Sequence, residues 1–353
     1  MGKTKSFSTL IILSALVSFF VGIRFADVGA DTEAYINHFY KSSVAEWFYN
    51  RFEVGFSLMM QFFSKNTLSF ELFFFFVAFL ITTIYLYLFV RIYSKCFFDK
   101  AAYFDGVFVF FSLLLISSWY FTSITNGLRQ GLALVFLYAA LFELFFNRKK
   151  SKFIFLYLIS ISFHYSSLIM APFLFVYYLP FRLVFMVWVL LGLGYFAGIN
   201  ELAVKLFSEA FSLPIYDFVK YFSLEKGYEH QGGGLYEGFI LKFFIYTVFW
   251  PVVLLVIAET KLPFKSSSVN IEGVYALLKI YFLLSMIYFI FGFGPFSNRF
   301  ALFAWFFVPV LQFCVIKFFD FRGAFYFLPV LVFLASLMFF LFFKLDWIRV
   351  LYI

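Results

Sequence analysis

Charge is what this chain has least of. Only 13% of its 353 residues are Asp, Glu, Lys or Arg, against 64% that are hydrophobic, whereas an ordinary soluble domain carries about 25% charged residues. No soluble domain fits that composition. Cysteine occurs only as Cys96 and Cys314. Both stand alone in or beside apolar runs, with no C-x-x-C pair and no metal spacing, and read as packing residues. The sequence also lacks G-x-G-x-x-G, G-x-x-x-x-G-K-[ST] and H-E-x-x-H, so cytosolic nucleotide binding and zinc hydrolysis have no support. Its three histidines, His38, His164 and His230, lie far apart. No metal site and no cofactor are expected.

What is present is apolar surface: 27% aromatic residues, 65 of them Phe, and a mean hydropathy of +0.96. That is the composition of a polytopic, all-α membrane protein. A helix needs about 20 apolar residues to cross the hydrocarbon core. Such runs fall near residues 7–26, 69–90, 102–121, 128–146, 183–199, 238–258, 273–291, 300–316 and 324–343. The first run follows Lys3 and Lys5; it is longer than a signal-peptide core and no A-x-A site follows, so it reads as a first transmembrane helix. Residues 153–179 are interrupted by His164, Tyr165, Ser166 and Ser167 and contain Pro172, the pattern of a helix that breaks inside the membrane. One crossing there gives 10 spans and two give 11.

Lys and Arg gather on the cytoplasmic side of short loops. The clusters around Arg91, Arg148, Lys261 and Lys317 join Lys3 and Lys5 on one side only with the larger count. The expectation is therefore a single transmembrane domain over 1–353 of about 11 helices (10 to 12), N-terminus inside. The net charge of +8 then reflects topology and lipid headgroups, with no nucleic acid as partner. Residues 27–66 and 200–236 form two larger loops on the outer face and hold most of the acids. In the first, Thr32 to Tyr49 reads as an interfacial helix, and Glu53 to Phe63 is too short to span. In the second, Gly232, Gly233 and Gly234 make a flexible hinge for a candidate lid.

Against this apolar background Arg24, Asp31, Arg129, His164 and Arg299 stand in or beside apolar runs. An arginine there costs several kcal/mol, so its presence points to an anion or a wet cavity that meets it. Taken singly, each arginine fits snorkelling to headgroups equally well.

A series of motifs accompanies these residues. Gly22-Ile23-Arg24 is followed by Val28-Gly29-Ala30-Asp31-Thr32, Tyr35 and Glu53-Val54-Gly55-Phe56. Next come Asn126-Gly127-Leu128-Arg129-Gln130-Gly131, then Phe163-His164-Tyr165-Ser166-Ser167, and Ser297-Asn298-Arg299-Phe300. In this order they resemble the EpsG/Wzy type of bacterial surface-polysaccharide (O-antigen) polymerase. The resemblance implies a fold related to the GT-C membrane glycosyltransferases. It also implies polymerisation of undecaprenyl-diphosphate-linked oligosaccharide repeat units at the periplasmic face of the inner membrane, and leaves open whether a chain-length regulator is a partner.

A glycosyl diphosphate carries a good leaving group, so the protein chiefly needs cations for the developing pyrophosphate charge and a base for the acceptor hydroxyl. Arg24, Arg129 and Arg299 are the candidate pyrophosphate ligands, because a guanidinium pairs with phosphate oxygens and keeps its proton. Asp31 is the first candidate base, since it follows Arg24 and the GT-C resemblance implies an acid there. Glu53 is the second. His164 either positions the acceptor and shares the proton or is a core histidine bonded to a carbonyl. Tyr35, Gln130, Glu229 and His230 are candidate sugar contacts. Two other classes stay open: a flippase of lipid-linked oligosaccharide, and a membrane acyltransferase, for which His164 has no acid nearby in sequence. Arg129→Ala and Arg299→Ala are each expected to abolish chain extension while the protein stays in the membrane; wild-type glycan lengths on a gel would refute the cation assignment.

Overall fold

The computed structural model describes residues 2–44, 52–97, 103–221, 238–260, 269–294, 297–318 and 328–345. Among them helices dominate and the only β pairing is a single bridge, Phe97 with Val269. Among the described residues five helices are long and apolar enough to cross a membrane, and two bent pairs raise this to seven. The chain is a polytopic membrane protein. It gathers into two compact units, one of Met1–Leu168, Lys265–Asn270 and Phe319–Ile353, the other of Ile169–Phe264 and Ile271–Phe318.

The first unit opens with α1 (Gly2–Gly22), followed by two short helices, α2 (Thr32–Val44) and α3 (Val54–Lys65). The long helix α4 (Phe70–Cys96) starts at Ser69, whose hydroxyl accepts from the Leu72 N–H and so satisfies one orphan donor. Residues 102–121, expected as one span, are instead α5 (Tyr103–Ile116) and α6 (Ser118–Thr125), bent by 74°. The reason is local: the Ser117 side chain accepts from Tyr120 N and caps a new helix where the old one would have continued. A hairpin of α7 (Leu128–Phe145) and α8 (Lys150–Phe163) follows.

The expected break after α8 is present. His164 is extended, and residues 165–178 form a 3₁₀ segment around Pro172. The break is stitched by hydroxyls: Ser160 donates to Ala133 O at 2.7 Å, Tyr157 to Ser167 O at 2.8 Å, and Ser160 and Ser167 bond each other at 2.7 Å. The ends of this unit differ in chemistry. One carries Arg91, Lys95, Arg148, Lys149 and Lys150, with Arg91 paired to the buried Glu143 at 2.6 Å. The other collects the end of α1, the start of α3, the start of α7 and the end of α8.

In the second unit, α9 (Phe181–Phe196) turns by 92° into α10 (Ile199–Ala210), then α11 (Ile215–Tyr221). The long α12 (Leu241–Thr260) and α13 (Ile271–Phe291) follow, and a 22-residue span is divided into α14 (Ser297–Trp305) and α15 (Val308–Phe318). Pro309 has no N–H to return to the preceding turn, which accounts for that division. The last helix, α16 (Leu328–Phe339), belongs to the first unit and ends in a π turn over Phe340–Lys344. Pro251 in α12 likewise leaves the Thr247 carbonyl without its helical donor, and the buried Tyr281 hydroxyl supplies one at 2.9 Å. Tyr281→Phe should therefore cost about 1–2 kcal/mol, read as a lowered unfolding temperature in detergent; an unchanged temperature would mean that another donor reaches the carbonyl.

Candidate active site

Glu53 precedes the first turn of α3, and its side chain is only 7% exposed. One carboxylate oxygen accepts from Arg129 Nη1 at 2.7 Å, and the other meets His164 Nδ1 at 2.5 Å. The acid read as second in rank is thus the centre of the site. Burial pushes its pKa up, but the hydrogen bond and charge of His164, followed by the charge of Arg129, outweigh burial and hold it down at about 2. An ionised carboxylate only accepts, so His164 must present Nδ1–H to it. Whenever the ring is neutral, Nε2 is then its proton acceptor, on a side chain 24% exposed.

Close backbone approach brings the three together. Gly55 lies against the end of α8, where a Cβ would fall 2.9 Å from Ser162 O and 2.7 Å from its Oγ. Any larger residue would therefore push Glu53 away from His164. Arg129, in the first turn of α7, is seated over Phe52 at 4.5 Å from the ring centroid. Its Nε is buried with no hydrogen-bond partner among the described residues. Phe52 is a contact of this site absent from the sequence-based candidates; an aromatic adjoining the acid was its only signal.

Tyr35 of α2 is buried against Phe52 and Phe56, and its hydroxyl is in electrostatic contact with Arg129, Asp31 and Glu53. Burial first, with the two carboxylates behind it, raises its pKa against the pull of Arg129. Asp31, the first candidate base, is half-buried beside this cluster, and its backbone N–H donates to Asn126 Oδ1 at 2.7 Å. Gly29, at φ +93°, makes the turn that brings Asp31 there.

Arg24 has a different environment from the one expected of a phosphate ligand. It is 6% exposed and donates to Val21 O at 2.7 Å, Val28 O at 3.3 Å, Thr32 Oγ1 at 3.2 Å and Thr125 O at 3.1 Å, with Phe74 beneath it at 4.3 Å. Those bonds occupy four of the five N–H groups of a guanidinium. Arg24 ties the end of α1 to the start of α2 and the end of α6. Tyr35 and Gln130, read as sugar contacts, are buried and offer little surface. Arg299 is exposed in the first turn of α14 and belongs to the second unit. Glu229, His230 and the triple glycine lie outside the described residues.

The depressed pKa fixes the sign of a pH effect. Glu53 adds stability that is complete above its ordinary value of 4.5 and is lost as pH falls toward about 2. The difference in unfolding temperature between wild type and Glu53→Gln should be large at pH 6 and shrink by pH 3; a constant difference would show that ionised Glu53 is not what the site stabilises.

The model of the EpsG family matches residues 7–351 of the chain. No curated protein and no solved structure matches it.

Proposed function

Because the chain belongs to the EpsG family, we propose that it is a polysaccharide polymerase, acting on undecaprenyl-diphosphate-linked oligosaccharide repeat units at the periplasmic face of the bacterial inner membrane. The observation that carries this reading is the bridge of Glu53 between Arg129 and His164. It supplies a fixed cation and an oriented base, the two groups that glycosyl transfer from a diphosphate needs. The orientation rests on the positive-inside rule: the site lies at the opposite end of the first unit from Arg91, Lys95 and the Arg148 cluster.

In this mechanism the acceptor hydroxyl at the non-reducing end of a new lipid-linked unit attacks the anomeric carbon of the growing chain. The bond from that carbon to the diphosphate breaks, and the electron pair leaves with the lipid diphosphate. His164 Nε2 takes the hydroxyl proton, while Glu53 holds the ring through Nδ1 and stabilises the imidazolium that forms. Arg129, whose side chain stays 27% exposed while it bonds Glu53, meets the departing phosphate oxygens. Arg24 acts from a distance by holding the loop that carries Asp31 and the start of α2, which carries Tyr35, and in this reading Asp31 binds the acceptor sugar.

One observation also favours a second reading. His164 has no acid nearby in sequence, yet Glu53 is its acid in space. That is the His–carboxylate pair a membrane acyltransferase acting on surface sugars requires.

A single experiment separates the readings. The gene is deleted in its source strain and restored as wild type, His164→Gln, Glu53→Gln or Arg129→Ala, and surface glycolipids are run on a gel. A polymerase predicts collapse of the ladder to one repeat unit, rescued only by wild type, with His164→Gln losing about 100-fold or more in chain extension. A ladder of normal length but altered chemistry favours the acyltransferase, and loss of all surface glycan with lipid-linked units retained inside favours a flippase.

A further inference from the structure

The second unit contains a helix that enters the span count only as half of a bent pair and that the proposed chemistry does not use. In α10 the exposed apolar residues Ile199, Leu202, Leu206 and Phe207 fall on one stripe, while Glu201, Lys205 and Ser208 fall on the other side. The polar side is already occupied. Glu201 pairs with Lys220 of α11 at 2.8 Å and accepts from the Tyr216 hydroxyl at 3.2 Å, and Ser208 Oγ accepts from Tyr216 N at 3.0 Å. The apolar stripe has no such cover among the described residues, with Leu202 and Leu206 each 55% exposed.

The turn into α10 is fixed by the fold. Gly198 adopts φ +72° at the corner, and the Asn200 amide donates to Leu191 O and Phe289 O, both at 2.8 Å. Gly194 admits that amide, because a Cβ there would lie 2.3 Å from Asn200 Oδ1. The 92° angle is therefore locked, and α10 cannot straighten to prolong α9. Nor does it suit the hydrocarbon centre as the second half of a broken span, because its 12 residues include Glu201, Lys205 and Glu209.

We propose that α10 is a membrane-surface helix, its apolar stripe sunk into the headgroup–acyl boundary of the bilayer that α9 enters and its polar side turned toward α11 and water. The occupant of the stripe is lipid, for two reasons. The stripe continues the apolar face of α9, where Leu190, Leu193 and Phe196 are exposed, so one lipid-facing surface runs around the corner. The charge distribution is also that of an interfacial helix, with acids and lysine confined to one side.

The proposal does not rest on the polymerase reading, and its test uses no activity. In a background without Cys96 and Cys314, single spin labels are placed at Leu202→Cys and Leu206→Cys, and for comparison at Lys205→Cys and Glu209→Cys. The full chain is then reconstituted in phosphatidylethanolamine–phosphatidylglycerol vesicles. The first pair should collide severalfold more with oxygen than with a soluble nickel chelate, and the second pair should show the reverse. Equal access of both pairs to nickel would overturn the proposal, as would shielding of the stripe from both reagents or spin–spin broadening between two copies. Unmodified protein gives a second measurement with a phospholipid carrying a photoreactive group near its headgroup. Adducts should form on Leu202 or Leu206; adducts on α9 with none on α10 would also overturn it.

Discussion

A carboxylate taken out of water has to be answered by donors, and Glu53 is answered by two, the Arg129 guanidinium and the His164 ring N–H. Its bonds to Arg129 and His164 join α3, α7 and α8 at one end of the first unit, and the local details there serve that junction. Gly55 lets α3 meet the end of α8, Phe52 fills the space under the guanidinium, and the 3₁₀ break at Tyr165 stops α8 where His164 can face the acid. Leaving one of these charges buried without its partner costs more than the pair contributes as a whole, so the three side chains stand or fall together.

Around that centre Arg24 and Asn126 act as ties. Arg24 satisfies carbonyls at the ends of three segments, and Asn126 holds the backbone of Asp31. An arginine in an apolar setting is thus explained twice in this fold by different means. Arg24 is answered by backbone carbonyls and a ring, which makes it a structural tie. Arg129 is answered by a carboxylate and stays partly exposed, which leaves it open to the anion of the proposed reaction.

The second unit shows the same constraint in the backbone. A helix interrupted in an apolar environment leaves carbonyls that water does not reach, and side chains must supply the donors. Tyr281 does so beside Pro251, Lys279 does so for Tyr177 O and Leu179 O at the end of the 3₁₀ segment, and Asn200 does so for Phe289 O near the end of α13. These donors permit irregular helices without exposing polar backbone to lipid.

The sequence by itself determined the class, the interrupted segment at His164, the two short helices of the first loop and the family, because apolar run length and motif order are local properties. It also supplied Glu53, Arg129 and His164 as candidates. It did not rank them, since the distance between residues 53 and 164 is not a property of either neighbourhood. Asp31 stood first on its closeness to Arg24 in the chain, whereas the buried carboxylate belonged to Glu53. The bends at Ser117 and Gly198 were hidden for a related reason: hydropathy measures how apolar a run is and says nothing of its direction. Only the tertiary structure decided which acid receives both donors, which arginine is held by backbone acceptors, and where a continuous apolar run turns a corner, because each depends on which donors and acceptors from distant segments come within reach.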